Sequence, residues 1–188
     1  MNDDFFDKIH LNPIIAAVND INKLDKAINS PSEIIFLLTG SIFNLQDIVK
    51  RIKEKEKNIY IHIDLLDGFS RDITALKYIT QNIKPDGVIT TKSNLIKHAK
   101  ELNMFTIQRL FMLDSLSLQT GIRSIKTTKP NAVEILPGIM GKITKFIFEE
   151  TKKPIIAGGL IEDKEDVINS LKAGASGIST SNEEIWYM

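Results

Sequence analysis

Eight short apolar runs, rich in β-branched residues, recur along this chain at near-regular spacing. They are Pro13–Val18, Ile34–Leu38, Asn58–Ile63, Gly87–Thr90, Met104–Gln108, Ala132–Leu136, Pro154–Ala157 and Ser176–Ser179, and successive starts lie 17 to 29 residues apart. Such runs, apolar almost throughout, fit parallel strands covered by helices. Each interval holds one strand, one helix and two turns. The intervals also carry helical periodicity. Leu45, Ile48, Val49 and Ile52 repeat at i, i+3, i+4, i+7 behind Asn44, a residue suited to cap a helix N-terminus. Leu95, Ile96, Ala99 and Leu102 show the same rhythm, as do Val167, Ile168 and Leu171 ahead of Gly174, a helix stop. Asp114–Lys126 reads as a further helix. Eight strands alternating with helices predict an α/β fold, a compact TIM-type (β/α)8 barrel; the alternative is an open doubly wound sheet. Asn2–Leu11 precedes the first strand and reads as a helix plugging the bottom of the barrel.

At 188 residues the expectation is one domain spanning residues 1–188. Lys and Arg number 24 and Asp and Glu number 24, so the chain is neither a basic nucleic-acid arm nor an acidic tail. The absence of Cys excludes a disulfide scaffold, a thiolate nucleophile and cysteine metal sites, and three His (His10, His62, His98) give a zinc site little support. The start, Met1-Asn2-Asp3-Asp4-Phe5-Phe6, lacks the basic region and apolar run of a secretory leader. Apolar runs such as Ile34–Leu38 fall far short of the roughly 20 residues that span a bilayer. The expectation is a cytoplasmic protein with no membrane partner, no metal and no cofactor.

In either α/β fold the loops after the strands form the functional face. The last two such loops carry the sharpest signal: Gly158-Gly159 after the seventh strand, and Ser179-Thr180-Ser181-Asn182 before a final short helix, Glu183–Tyr187. In barrels, phosphate commonly sits between these two loops at a helix N-terminus. Glycines let backbone N–H groups crowd around an anion, hydroxyls and an amide add donors, and a helix dipole adds about 0.3–1 kcal/mol. The plain alternative is that Gly-Gly makes a tight turn and Ser-Asn caps a helix.

Charged residues within strands need partners, because an unpaired buried charge is costly. Alternation puts Ile61, Ile63, Val133 and Ile135 toward the helices, so His62, Asp64 and Glu134 point into the barrel. Thr90 and Lys92 share a face, read as interior. The fifth strand leaves open whether Gln108 or Arg109 points in. Asp64, Glu134, Lys92 and Arg109 then form one polar cluster in the mouth: either a self-satisfied ion-pair network, or an enzyme site in which Lys92 forms a Schiff base or the two carboxylates do acid–base work. His62 reads more readily as a core histidine than as a base. No catalytic motif of recognised spacing is present, neither H-E-x-x-H, nor a P-loop, nor G-x-S-x-G.

The ordered set of strand-end motifs resembles the glycerol-3-phosphate-responsive antiterminator family of bacterial glycerol uptake operons. The resemblance covers almost the whole chain. It runs through Pro13–Val18, Ile35–Gly40, His62-Ile63-Asp64-Leu65-Leu66-Asp67-Gly68, Asp86–Lys92, Ile107–Ser115, Val133-Glu134-Ile135-Leu136-Pro137-Gly138, Pro154–Ile161 and Ser179–Asn182 before Trp186. Gly141 departs from a family Pro, and Asn131 from a frequent Asp.

The resemblance implies a non-enzymatic, glycerol 3-phosphate-sensing antiterminator. Such a protein binds the leader mRNA of the glycerol operon and prevents premature termination. The residues it carries over are those of the matched motifs at the strand ends; the chemistry of that ligand then assigns Gly158, Gly159, Ser179, Thr180, Ser181 and Asn182 to the phosphate, and Asp64, Lys92, Arg109, Glu134 and Gly138 to the glycerol and its charge. A barrel aldolase, isomerase or lyase acting on a small phosphate ester is the enzymatic alternative, and a sensor whose output is another protein is a third. Basic residues cluster at Lys50–Lys57 and Lys142–Lys153, interleaved with acids, and no RNP-type aromatic motif marks an RNA surface. A homodimer would double a weak basic patch.

Overall fold

The structure, a computed structural model describing residues 3–188, is a closed barrel of eight parallel strands in sequence order. The strands are β1 (Ile14–Val18), β2 (Ile34–Leu37), β3 (Asn58–His62), β4 (Gly87–Thr90), β5 (Phe105–Phe111), β6 (Ala132–Leu136), β7 (Ile155–Gly158) and β8 (Gly177–Thr180). Closure comes from β8 pairing with β1, Ile15 opposite Ser179. Between and around them run α1 (Asp3–Leu11), α2 (Leu24–Asn29), α3 (Leu45–Lys53), α4 (Ile73–Tyr78), α5 (Ser93–Glu101), α6 (Ser115–Thr128), α7 (Gly141–Thr151), α8 (Lys164–Lys172) and α9 (Glu183–Trp186). The barrel wins over the open sheet because eight strands at this spacing leave no edge when the first meets the last.

Strand alternation sorts the side chains into two cores. Ile59, Ile61, Val88 and Ile178 face out, packing with Leu45, Val49 and Leu95 of the helices. Ile15, Ala17, Phe36, Tyr60, Ile89, Ile107 and Ile156 face in and fill the barrel. Helix α1 closes the end where the strands begin. Its Phe5, 1% exposed, stacks 4.6 Å from Phe105 and 5.0 Å from Tyr60, and Ile9 packs with them. This is the expected plug, although Asn2 lies outside the described residues. Asp114 caps α6, its Oδ1 accepting from the Ser117 N–H at 2.7 Å. Asn44 does not cap α3 in this way. Its Oδ1 instead accepts from the N–H of Ser41 at 2.7 Å, bracing the turn before the helix. Asn131, the residue in place of the family Asp, accepts from the N–H and hydroxyl of Thr106, both at 2.9 Å, a role its amide oxygen fills as a carboxylate would. No helix among the described residues is long and apolar enough to cross a membrane.

Candidate functional site

A cavity of about 310 Å³ opens in the mouth of the barrel, between the loops that follow β7 and β8. The two loops are joined by their own side chains. Thr180 Oγ1 donates to the Ile161 carbonyl at 3.1 Å, and Asn182 Nδ2 donates to the Glu162 carbonyl at 2.8 Å. Asn182 Oδ1 meanwhile accepts from the Glu184 N–H, capping α9, and buried Trp186 donates its Nε1–H to the Thr180 carbonyl at 2.7 Å. Thr180 and the Asn182 amide are therefore engaged in holding the corner together. The hydroxyls of Ser179 and Ser181, and the backbone N–H groups of Gly159, Leu160 and Ser181, have no protein partner among the described residues.

Gly159 and Leu160 follow one another at φ +73 and +57. Glycine adopts that conformation freely, whereas Leu160 is strained there and 60% exposed at the rim. Gly158 answers a different need. A Cβ on it would stand 2.8 Å from Glu134 Oε1, so its hydrogen leaves room for the carboxylate on the neighbouring strand. Gly138 sits behind this layer, its N–H donating to the Gly159 carbonyl at 3.0 Å and its own carbonyl accepting from the Ser170 hydroxyl.

The floor of the cavity is a buried ion pair. On β5, Phe105 and Ile107 face inward, and Arg109 follows in phase. Its Nε donates to Glu134 Oε2 at 2.6 Å, with the two side chains 7% and 1% exposed. The open choice on β5 is thereby settled: Arg109 points in, while Gln108 points toward α5 and α6. His62, on the inner face of β3, is 2% exposed, and its Nδ1 has no partner. Burial, helped by the Arg109 guanidinium, pushes its pKa down to about 4, so the imidazole is neutral at neutral pH.

Two residues expected in the cluster lie elsewhere. Asp64 falls beyond β3 in a short turn, where its carboxylate accepts from Thr90 Oγ1 at 2.8 Å, the Thr91 N–H at 2.7 Å and Thr91 Oγ1 at 2.9 Å. It clasps the loops after β3 and β4. The expected interior placing of Thr90 and Lys92 is wrong by one position. Ile89 is the β4 residue that fills the barrel, so Thr90 faces the Asp64 clasp and Lys92 Nζ reaches outward to the Arg71 carbonyl at 3.1 Å. The cavity thus gathers Arg109, Glu134, Gly159, Ser179, Thr180, Ser181 and Asn182, and leaves out Asp64, Lys92, Gly138 and Gly158. It also includes Asn19, Leu38, Leu136 and Glu162, which the sequence reading passes over. Each of these follows or ends a strand, the one signal that marks them. Among the described residues no cluster of three or more His, Asp or Glu side chains is arranged to hold a metal ion.

Fold and mouth define a (β/α)8 barrel with one polar, loop-walled cavity where its last two strands end. Residues 14–186 match the glycerol-3-phosphate responsive antiterminator family, and the chain belongs to it. It is 39% identical over 175 residues to the Escherichia coli K12 protein YgcP, covering 93% of this chain and 92% of that one. Its fold superposes on the glycerol uptake operon antiterminator regulatory protein of Listeria monocytogenes 4b F2365 with a TM-score of 0.90 and 33% identity, covering 93% and 95% of the two chains. An antiterminator-related protein of Thermotoga maritima MSB8 is similar at a TM-score of 0.83 and 31% identity, covering 93% and 98%.

Proposed function

We propose that this protein senses glycerol 3-phosphate in the mouth cavity and, with that ligand bound, acts on the leader mRNA of the glycerol operon to prevent premature termination. It works in the cytoplasm, where that transcript is made, and it returns its ligand unchanged. Family membership supports the ligand and the regulatory output. The observation that carries the site is the unpartnered set of N–H and hydroxyl groups on two loops already joined to each other. Backbone donors fixed in place are suited to a phosphate, since they need no reorganisation to surround it. They are needed here, because Arg109, the one cation in the lining among the described residues, is already paired with Glu134. The glycerol hydroxyls then face that pair, donating to Glu134 and accepting from Arg109.

Thermal unfolding tests this reading. Ligand at a hundredfold excess over Kd stabilises by about 2.7 kcal/mol. At this chain length that raises Tm by about 5–10 °C. Glycerol, which lacks the phosphate, should leave Tm where it is. Ser181→Asp puts a carboxylate among the donors and should remove the shift while changing the unliganded stability by less than about 1 kcal/mol. A flat response to millimolar glycerol 3-phosphate, or an equal response to glycerol, refutes the site.

A further inference from the structure

The first of the two basic runs that stand out in the sequence, Lys50–Lys57, is largely engaged in the fold, and the second is engaged only in part. Arg51 pairs with Asp25, Lys53 with Asp86 at 3.1 Å, and Lys57 donates to the carbonyls of Ser30 and Ser32. In the second run, Lys145 lies 4.0 Å from Glu149 and Lys152 over the ring of Phe148. The positive face is elsewhere. From Gly87 to Lys129, β4 to the end of α6, there are seven basic residues against two acidic, a net +5 balanced by −5 over the rest of the chain. Helix α6 contains no acid at all. Of the two acids, Asp114 is occupied as the α6 cap and Glu101 by His98. One of the seven cations, Arg109, is inside the barrel. Six remain on the surface, and of these Lys126 pairs with Glu150 at 2.8 Å.

Between α5 and α6 lies a groove of about 330 Å³ whose lining side chains are all hydroxyls or cations, among them Ser93, Lys97, Thr120, Arg123, Ser124 and Thr127. Lys97 and Arg123 are exposed and pair with no carboxylate among the described residues. The hydroxyls are held from below. Fully buried Gln108 donates to Ser124 Oγ at 2.7 Å and accepts from Thr128 Oγ1 at 2.7 Å, while Ser124 Oγ lies 2.7 Å from Ser93 Oγ.

We infer that this α5–α6 groove is where the leader RNA docks, through its sugar–phosphate backbone. The inference rests on the proposed action on the leader transcript. Two free cations flanking a row of hydroxyls match alternating phosphates and ribose hydroxyls. The lining has no aromatic ring, so it offers no stacking platform for bases. The groove therefore positions the strand without reading its sequence. Its floor residue, Gln108, is also the chain neighbour of Arg109, so one strand presents its inner side to the mouth cavity and its outer side to the RNA.

The test is a mobility-shift titration of the glycerol operon leader transcript, with and without glycerol 3-phosphate. It compares the full chain, the Lys97→Glu/Arg123→Glu double variant, and Lys50→Glu/Lys55→Glu as a charge-matched control. The groove variant should bind at least about tenfold more weakly, and its log–log salt dependence should be shallower by about 1.4, two phosphate contacts. Its thermal shift with glycerol 3-phosphate should stay that of the native chain, and the control should bind RNA as the native chain does. Native-like RNA binding by the groove variant, or an equal loss in the control, overturns the groove and leaves the proposed function standing. A native chain that binds no leader RNA in either condition overturns the proposed function and the groove with it.

Discussion

His62 makes acid stability a direct probe of the barrel interior. Its imidazole is neutral in the folded protein down to about pH 4, against an ordinary value of 6.5. Between those two values the unfolded chain holds a proton on this side chain that the native protein refuses. Stability contributed at this position is complete above about pH 6.5 and is lost as pH falls toward 4. Integrating over the two pKa values gives a loss of about 2 kcal/mol between pH 7 and pH 5, approaching about 3 kcal/mol at pH 4. The readout is a difference, so that contributions from all other groups cancel. Urea unfolding of the native protein and of His62→Gln is followed at half-unit steps from pH 7 to pH 4. Gln cannot titrate, so its stability curve should fall less steeply by about 2 kcal/mol by pH 5, whatever its absolute stability. Parallel curves would mean that His62 takes up its proton in the native state as readily as in the unfolded chain. The reading of a buried, neutral imidazole beside Arg109 would then be wrong.

Two further substitutions test the packing that shapes the mouth and the plug. Gly158→Ala puts a methyl 2.8 Å from Glu134 Oε1, whose other oxygen is held by Arg109, so something must move. The expected loss is about 1–3 kcal/mol by urea denaturation, and unchanged stability would show that Glu134 has room the structure does not give it. Phe5→Ala removes a ring packed among Phe105, Tyr60 and Phe6, at an expected cost of about 3–5 kcal/mol and a fall in Tm of about 8–15 °C in calorimetry. A shift of a degree or two would show that α1 merely rests on the barrel.

The strands, their order and the plugging helix were legible in the sequence because burial on both faces makes a parallel strand apolar throughout, and that signature is local. The positions of the glycine pair after β7 and the hydroxyl run after β8 were legible for a related reason: each directly follows a strand that its own residues mark. What each polar residue does there was not. Asp64 and Lys92 carry the right charge and follow the right strands, yet the chain turns after His62 and after Thr90. One carboxylate is drawn into a loop clasp and the ammonium is turned outward. A one-residue error of phase on a four-residue strand exchanges the two faces, and nothing local corrects it.

From the order of its residues alone, this chain is committed to eight parallel strands, a helix beneath them, and a glycine turn and a hydroxyl turn side by side at the opposite rim. Periodicity and backbone freedom are properties of short segments and need no partner to be read. Only the closed barrel decided that Arg109 meets Glu134 across β5 and β6, that Thr180 and Asn182 join the rim loops while the Ser179 and Ser181 hydroxyls have no partner among the described residues, and that Lys97 and Arg123 flank one groove between α5 and α6. Those outcomes depend on which residues far apart in the chain come within a few ångströms of one another, because charge pairing and hydrogen bonding act at contact distance.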